Sequence, residues 1–267
     1  MYEVRYHRPA TLAEAVALFS EGSDARYLAG GQTLIPTMKQ RLAAPSDVID
    51  VLRLPELQGI SLSADLVTIG GATTHAAVAA AEAVRRTIPA LADLAGLIGD
   101  PAVRHRGTIG GSLANNDPAA DWPAPVLALG ATIRTDRREI AAEDFFQGLF
   151  TTALEPGELI TAVSFPVPEK AAYAKFKNPA SRYAMAGVFA ARMKDGAVRI
   201  AVTGAHGDGV FRSAEIERAL LASWTPEAVE AVTVSPEGML SDVHGSAAYR
   251  ANLVKVMAKR AVAATAG

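Results

Sequence analysis

The stretch 107-GTIGGSLANNDPAADWPA-124 decides how this chain is read. Adjacent glycines, hydroxyls, amides, two carboxylates and two prolines together suit the interior of neither a helix nor a strand. The segment reads as a backbone loop that wraps a polar group. Related segments stand upstream at 29-AGGQT-33 and 69-IGGATT-74. A glycine pair after a strand lets backbone N–H groups converge on an anion with no Cβ between them, and a helix start beyond it adds its dipole. The alternative for any one pair is a plain tight turn. Three pairs in the same setting point instead to a phosphate or diphosphate.

Near the N-terminus, 11-TLAEAVALF-19 has helical spacing, with Thr11 and Glu14 set for a capping box and Gly22 as the stop. The run 25-ARYLAGG-31 predicts a buried strand entering a glycine turn, and 34-LIPTMKQRL-42 a helix that tolerates Pro36 only in its first turn. A strand at 47–51, a hairpin across 59–71 and a helix over 75–84 follow. Residues 125–140 predict a helix end and a hairpin, and 158–167 a strand closing the first unit. Proline and polar residues at 166-PVPEKAA-172 mark a domain boundary. Beyond it, strands at 173–177, 185–193 and 198–204 and helices at 213–222, 226–232 and 246–264 predict an α+β sandwich.

Composition removes several function classes. The 267 residues are half hydrophobic, enough for a buried core, and the net charge of −2 lacks the basic surface that nucleic acid requires. The charged N-terminus and the lack of a long apolar run predict no signal peptide, no membrane span and a cytoplasmic protein. With no cysteine, thiolate nucleophiles, disulfides and cysteine-held iron-sulfur clusters fall away. The five histidines show no metal-binding spacing. GxGxxG, GxxxxGK[ST] and GxSxG are absent as well, which sets aside a Rossmann site, a P-loop and a nucleophile elbow. A diphosphate held by non-Rossmann glycine loops, in a chain without its own metal or thiol chemistry, points to a flavin dinucleotide.

The segments 29-AGGQTLIP-36 and 107-GTIGGSLANNDPAADWPA-124 resemble the two signatures of the FAD-binding medium subunit of molybdenum hydroxylases, the family of the carbon monoxide dehydrogenase medium subunit and the xanthine dehydrogenase flavin domain. The likeness runs along the whole chain through 69-IGGATTHAAV-78, 173-YAKFKNPASRYAMAG-187 and 241-SDVHGSAAYRANLVKVMAKRA-261. It implies an α+β fold: a two-subdomain FAD-binding domain of the vanillyl-alcohol oxidase type over 1–168, with subdomains of about 1–55 and 56–168. A small C-terminal α+β domain with a three-stranded sheet would occupy 169–267.

The resemblance further implies an FAD-dependent oxidoreductase subunit that takes electrons from a [2Fe-2S] small subunit, passes them to an external acceptor, and assembles with a molybdopterin-binding large subunit as a dimer of heterotrimers. A stand-alone FAD-dependent reductase and a cofactor-free scaffold module are the alternatives. Position by position, Ala29, Gly30, Gly31, Gln32 and Thr33, with Leu34 at the helix start, would hold the diphosphate. Thr108, Gly110, Gly111 and Ser112 would stand on its other side. Ala72 and Thr73 would offer backbone donors, and Asn115 and Asp117 polar side chains. Asp121 would meet ribose or ribityl hydroxyls or else cap a helix. Leu159 or Ile160 would pack on a ring, and Lys175 or Lys177 would bring positive charge to the flavin. Tyr183 is expected either at the flavin edge or in the core. His75 is expected to cap the helix after the middle glycine pair.

Overall fold

The computed structural model describes residues 1–265, so the end of the expected C-terminal domain, Ala266 and Gly267, lies outside the described residues. Arg5–His7 (β1), Ala25–Leu28 (β2) and Asp47–Asp50 (β3) form a sheet in the order β1-β3-β2, with β3 parallel to both neighbours. Parallel neighbours need crossovers, which Leu12–Glu21 (α1) and Leu34–Lys39 (α2) provide. The Thr11 hydroxyl caps α1 by accepting the Glu14 N–H, while the Glu14 carboxylate reaches back to the N–H of Ala10. α2 ends before the expected Leu42, because Arg41 turns left-handed at φ 60°.

Five antiparallel strands make the second sheet. Ile60–Ser63 (β4), Leu66–Gly70 (β5), Thr132–Thr135 (β6) and Glu139–Ala141 (β7) precede the small hairpin of Phe146–Gly148 (β8) and Thr151–Thr152 (β9). Ile160–Pro166 (β10) then enters the middle, giving the order β4-β5-β10-β6-β7. The helices between these strands are His75–Ala80 (α3), Glu82–Thr87 (α4), Pro89–Leu97 (α5), Pro101–Arg106 (α6), Ile109–Asn115 (α7), Pro123–Ala128 (α8) and Ala142–Phe145 (α9). Where one helix was expected over 75–84, Ala81 adopts extended geometry and divides α3 from α4. The third glycine segment differs more: it is no loop, since Thr108 caps α7 and Gly110 and Gly111 lie in its first turn. Trp122, Phe145 and Phe165 are fully buried in the core beneath this sheet.

The third sheet has four strands rather than three. Lys170–Lys177 (β11), Ala184–Arg192 (β12) and Val198–Thr203 (β13) are joined at the edge by the two-residue strand Phe211–Arg212 (β14). Ala214–Ala222 (α10) and Ala247–Ala264 (α11) complete the chain, and the helix expected at 226–232 is a 3-10 turn over Pro226–Val229. On α11, Ala251, Val254, Ala258, Ala261 and Val262 recur at helical spacing, and small alanines let it lie close on the sheet. β12 is buried along nearly its whole length because both of its faces are covered. Phe189 and Ala191 join the core of the second sheet, and Val188 and Ala190 the core under α11.

Candidate functional site

One cleft of about 1040 Å³ runs between these units. Its walls come from the turn after β2, the start of α7, the segment before β10, the β11 strand and the turn after it. The volume lies at the upper end of the range of about 300–1,000 Å³ for small-molecule sites, which suits a ligand of dinucleotide size.

The turn at Ala29–Thr33 is the donor-rich wall. Gly31 takes φ +69°, a conformation that side chains other than glycine resist. The N–H groups of Gly30, Gly31, Gln32 and Thr33 find no acceptor among the described residues, and the Thr33 hydroxyl is likewise unused. A row of unpaired backbone donors lining a cleft fits an anionic ligand. Gly30 has a second role, since a Cβ there would come within 2.2 Å of the Arg106 carbonyl oxygen. The missing side chain therefore lets two chain segments touch.

The opposite wall departs from the expected anion nest. The N–H of Ile109 donates to Thr73 O, that of Gly110 to Gly71 O at 2.9 Å, and that of Gly111 to Thr108 Oγ1 at 3.1 Å. Because the glycines sit in a capped helical turn packed on the middle glycine segment, those amides are already engaged. Gly111 still matters sterically: a Cβ there would lie 3.8 Å from that of Ala29, across the cleft. The Ser112 hydroxyl and the Asn115 carboxamide line the cleft with no partner among the described residues. Asp117 lines it too, with one oxygen accepting the N–H of Ala119. The expected donors Ala72 and Thr73 are also spent, on Leu57 O and Gly70 O. The Thr73 hydroxyl bridges Gly59, and Thr73 does not line the cleft.

Deeper in, β11 fixes the register between the two candidate lysines. Lys175 lines the cleft, while Lys177 at the strand end is exposed. Lys175 Nζ donates to Asp121 Oδ2 at 2.8 Å and Tyr173 Oη to Asp121 Oδ1 at 2.5 Å, with both charged side chains almost fully buried. Asp121 thus holds a lysine and a tyrosine. Burial pushes its carboxyl up, with Lys175 the largest opposing influence, and burial beside this carboxylate keeps Tyr173 a neutral donor. Leu34 and Leu159 line the apolar parts of the cleft. Tyr183 stands more than half exposed at the rim, which excludes a core role.

Three residues escaped the sequence reading. Trp122 Nε1 donates to His75 Nδ1 at 3.0 Å inside the core. Asn116, the left-handed residue ending α7, donates from Nδ2 to Gly148 O and Thr151 O and so anchors the β8–β9 hairpin. Gly157, at φ +76°, packs on the Phe19 ring and accepts a hydrogen bond from Tyr27 Oη.

Against known proteins, residues 2–168 match the family described as FAD binding domain in molybdopterin dehydrogenase. The chain is 38% identical to the nicotine 6-hydroxylase medium subunit of Paenarthrobacter nicotinovorans, over 97% of this chain and 96% of that one. It is 37% identical to the carbon monoxide dehydrogenase medium chain of Afipia carboxidovorans, over 96% and 94%. Its mixed α and β fold superposes on a chain of reconstituted CO dehydrogenase from Oligotropha carboxidovorans with a TM-score of 0.91 at 36% identity, covering 99% of this chain and 98% of the other.

Proposed function

The chain belongs to the family of FAD binding domains in molybdopterin dehydrogenases, and on that premise we propose that it is the electron-transferring FAD subunit of a molybdenum hydroxylase or dehydrogenase complex. The observation that carries this reading is the cleft itself: a row of free amides at Gly30–Thr33 lines it together with Ser112 and with the buried Lys175–Asp121 pair. The residues fit FAD. An anionic diphosphate would find neutral donors at the free amides, and a ring system would find the Lys175 ammonium held against Asp121.

When bound, FAD would supply the redox chemistry, accepting electrons and releasing them to an external acceptor. The chain's own part is to bind, orient and tune. Ala29, Gly30, Gly31, Gln32 and Thr33 would hold the diphosphate, with Thr108, Gly110, Gly111 and Ser112 shaping the facing wall and Asn115 offering its carboxamide. Lys175 would keep its charge beside the ring, where reduction builds negative charge, and so raise the potential. Asp121 and Tyr173 fix that ammonium in place.

The printed names of the relatives, medium subunit and medium chain, support partner subunits. We take these to be a molybdopterin-binding large subunit and a [2Fe-2S] small subunit, assembled as a dimer of heterotrimers in the cytoplasm. Among the described residues no helix is long and apolar enough to cross a membrane. The clusters would belong to another chain, since this one has no cysteine to ligate them. For the domain plan we keep an FAD-binding domain of the vanillyl-alcohol oxidase type over 1–168, with subdomains meeting near residue 55, followed by a C-terminal domain. The parallel sheet within residues 5–50 and the antiparallel sheet within 60–166 support that division.

The test is purification of the native complex from its source, with molybdenum, iron and flavin assayed together. Co-purification of all three with this chain is the expected result. Flavin without molybdenum or iron would favour a stand-alone reductase and overturn the proposal.

A further inference from the structure

His75 is 5% exposed, yet it lines the cleft, and the FAD reading leaves it without a task. It is not needed as a helix cap, because the Thr74 hydroxyl already caps α3 by accepting the N–H of Ala77. Its ring is set by Trp122. The indole N–H is a donor only, so at 3.0 Å from Nδ1 it makes that nitrogen the acceptor. In a neutral imidazole the one proton must then sit on Nε2.

Nε2 has no hydrogen-bond partner among the described residues. It stands beside Gly107, where a Cβ would come within 2.8 Å of it. Gly107 in turn packs on Gly30, whose missing Cβ would lie 2.6 Å from the Gly107 Cα. The unused Nε2–H therefore belongs to the corner where the Ala29–Thr33 turn meets the segment entering α7. Burial, and after it the Arg104 guanidinium, lower the ring's pKa to about 4, so the neutral tautomer holds throughout the neutral range.

We propose that His75 is a positioning residue for FAD: a neutral imidazole, locked as the Nε2–H tautomer by Trp122, that donates a hydrogen bond to a diphosphate oxygen at the junction of the two glycine segments. This rests on the FAD reading above. It also supplies the wall that the engaged amides of α7 leave short of donors. Unlike a lysine or arginine, such a donor adds no charge.

The experiment uses the full chain with its histidines labelled with ¹⁵N. Expected is a His75 ring with Nε2 protonated and Nδ1 bare between pH 6 and 8, its Nε2–H resonance shifting downfield when FAD is added. A ring protonated on Nδ1, or an Nε2–H signal that FAD binding leaves unmoved, would overturn the assignment. Two variants separate donation from packing. His75→Gln keeps a donor near the Nε2 position, and His75→Leu does not; neither carries a ring nitrogen at the Nδ1 position for Trp122. Flavin-fluorescence titration should show FAD affinity within about threefold of the parent for His75→Gln and about ten- to a hundred-fold weaker for His75→Leu, the span of a hydrogen bond to a charged group. Equal losses in both variants, or none in His75→Leu, would reduce His75 to a packing residue. A parent chain that takes up no FAD would sink the cofactor reading itself, an outcome distinct from FAD uptake with an unmoved His75 signal.

Discussion

Lys175 and Asp121 hold opposite charges out of water at 2.8 Å, so the loss of either strands the other. Lys175→Met should destabilise the fold by about 3–5 kcal/mol, the usual cost of a half-broken buried pair. The sequence alone suggests that such a change spares the fold, because nothing in the spacing shows that Asp121 lies against Lys175. Lys175→Met combined with Asp121→Asn removes both charges and should fold better than the single variant, with a lower flavin midpoint potential by spectroelectrochemistry. An unchanged potential in the folded double variant would take the charge-tuning role away from Lys175. His75 makes a separate prediction through pH. Its pKa falls from an ordinary 6.5 to about 4 in the fold, so between those values the unfolded chain binds a proton that the folded chain refuses. Stability is therefore full above about pH 6.5 and is lost as pH falls toward 4, by on the order of 3 kcal/mol from this group. Urea melts at pH 7 and pH 4.5 should show that loss in the parent and a smaller one in His75→Gln. Equal losses would mean that the ring titrates normally.

At the scale of elements, the glycine segments divide by what a methyl group would meet. A Cβ at Gly110 would come within 2.6 Å of the Gly71 carbonyl oxygen, backbone against backbone. Gly110→Ala should therefore cost about 2–4 kcal/mol of stability whether or not FAD is present. At Gly111 the nearest atoms are Thr108 Oγ1 at 3.0 Å and Ala29 Cβ at 3.8 Å, so Gly111→Ala should keep the fold and narrow the cleft. Circular dichroism melting and FAD titration together check the contrast: weak FAD binding with a near-parental melting temperature for Gly111→Ala, and a lowered melting temperature for Gly110→Ala. The glycine pairs stood out in the sequence because adjacent glycines are poor residues for a helix or strand interior, and all three contribute to the lining of the cleft, although Gly110 and Gly111 lie in the first turn of α7. Their separate roles were not legible, since Arg106 packs on Gly30 and Gly71 on Gly110 from far along the chain. The same limit hid α5, whose Ala90, Leu91, Ala92, Leu94 and Ala95 are all buried and leave no one-sided stripe to read. α6 was too short, at six residues, to show a period. The first helix was plain because its cap, its period and its stop agree within eleven or so residues of sequence.

Across the whole molecule, the third sheet ties the site to both large cores. Its β12 strand lends Phe189 to one core and Val188 to the other, and its neighbour β11 carries Lys175 to the cleft. The proposed boundary near residue 168 rests on proline and polar composition, whereas the sharing of one sheet by two cores depends on strand register. The cleft joining these units is the proposed FAD site. The most direct test is the visible absorption spectrum of the purified chain, before and after incubation with FAD and desalting, repeated after co-expression with the partner subunits. An oxidised-flavin spectrum approaching one FAD per chain is the predicted result. A chain that stays colourless through all of these treatments would contradict the claim and leave the glycine segments as packing devices alone.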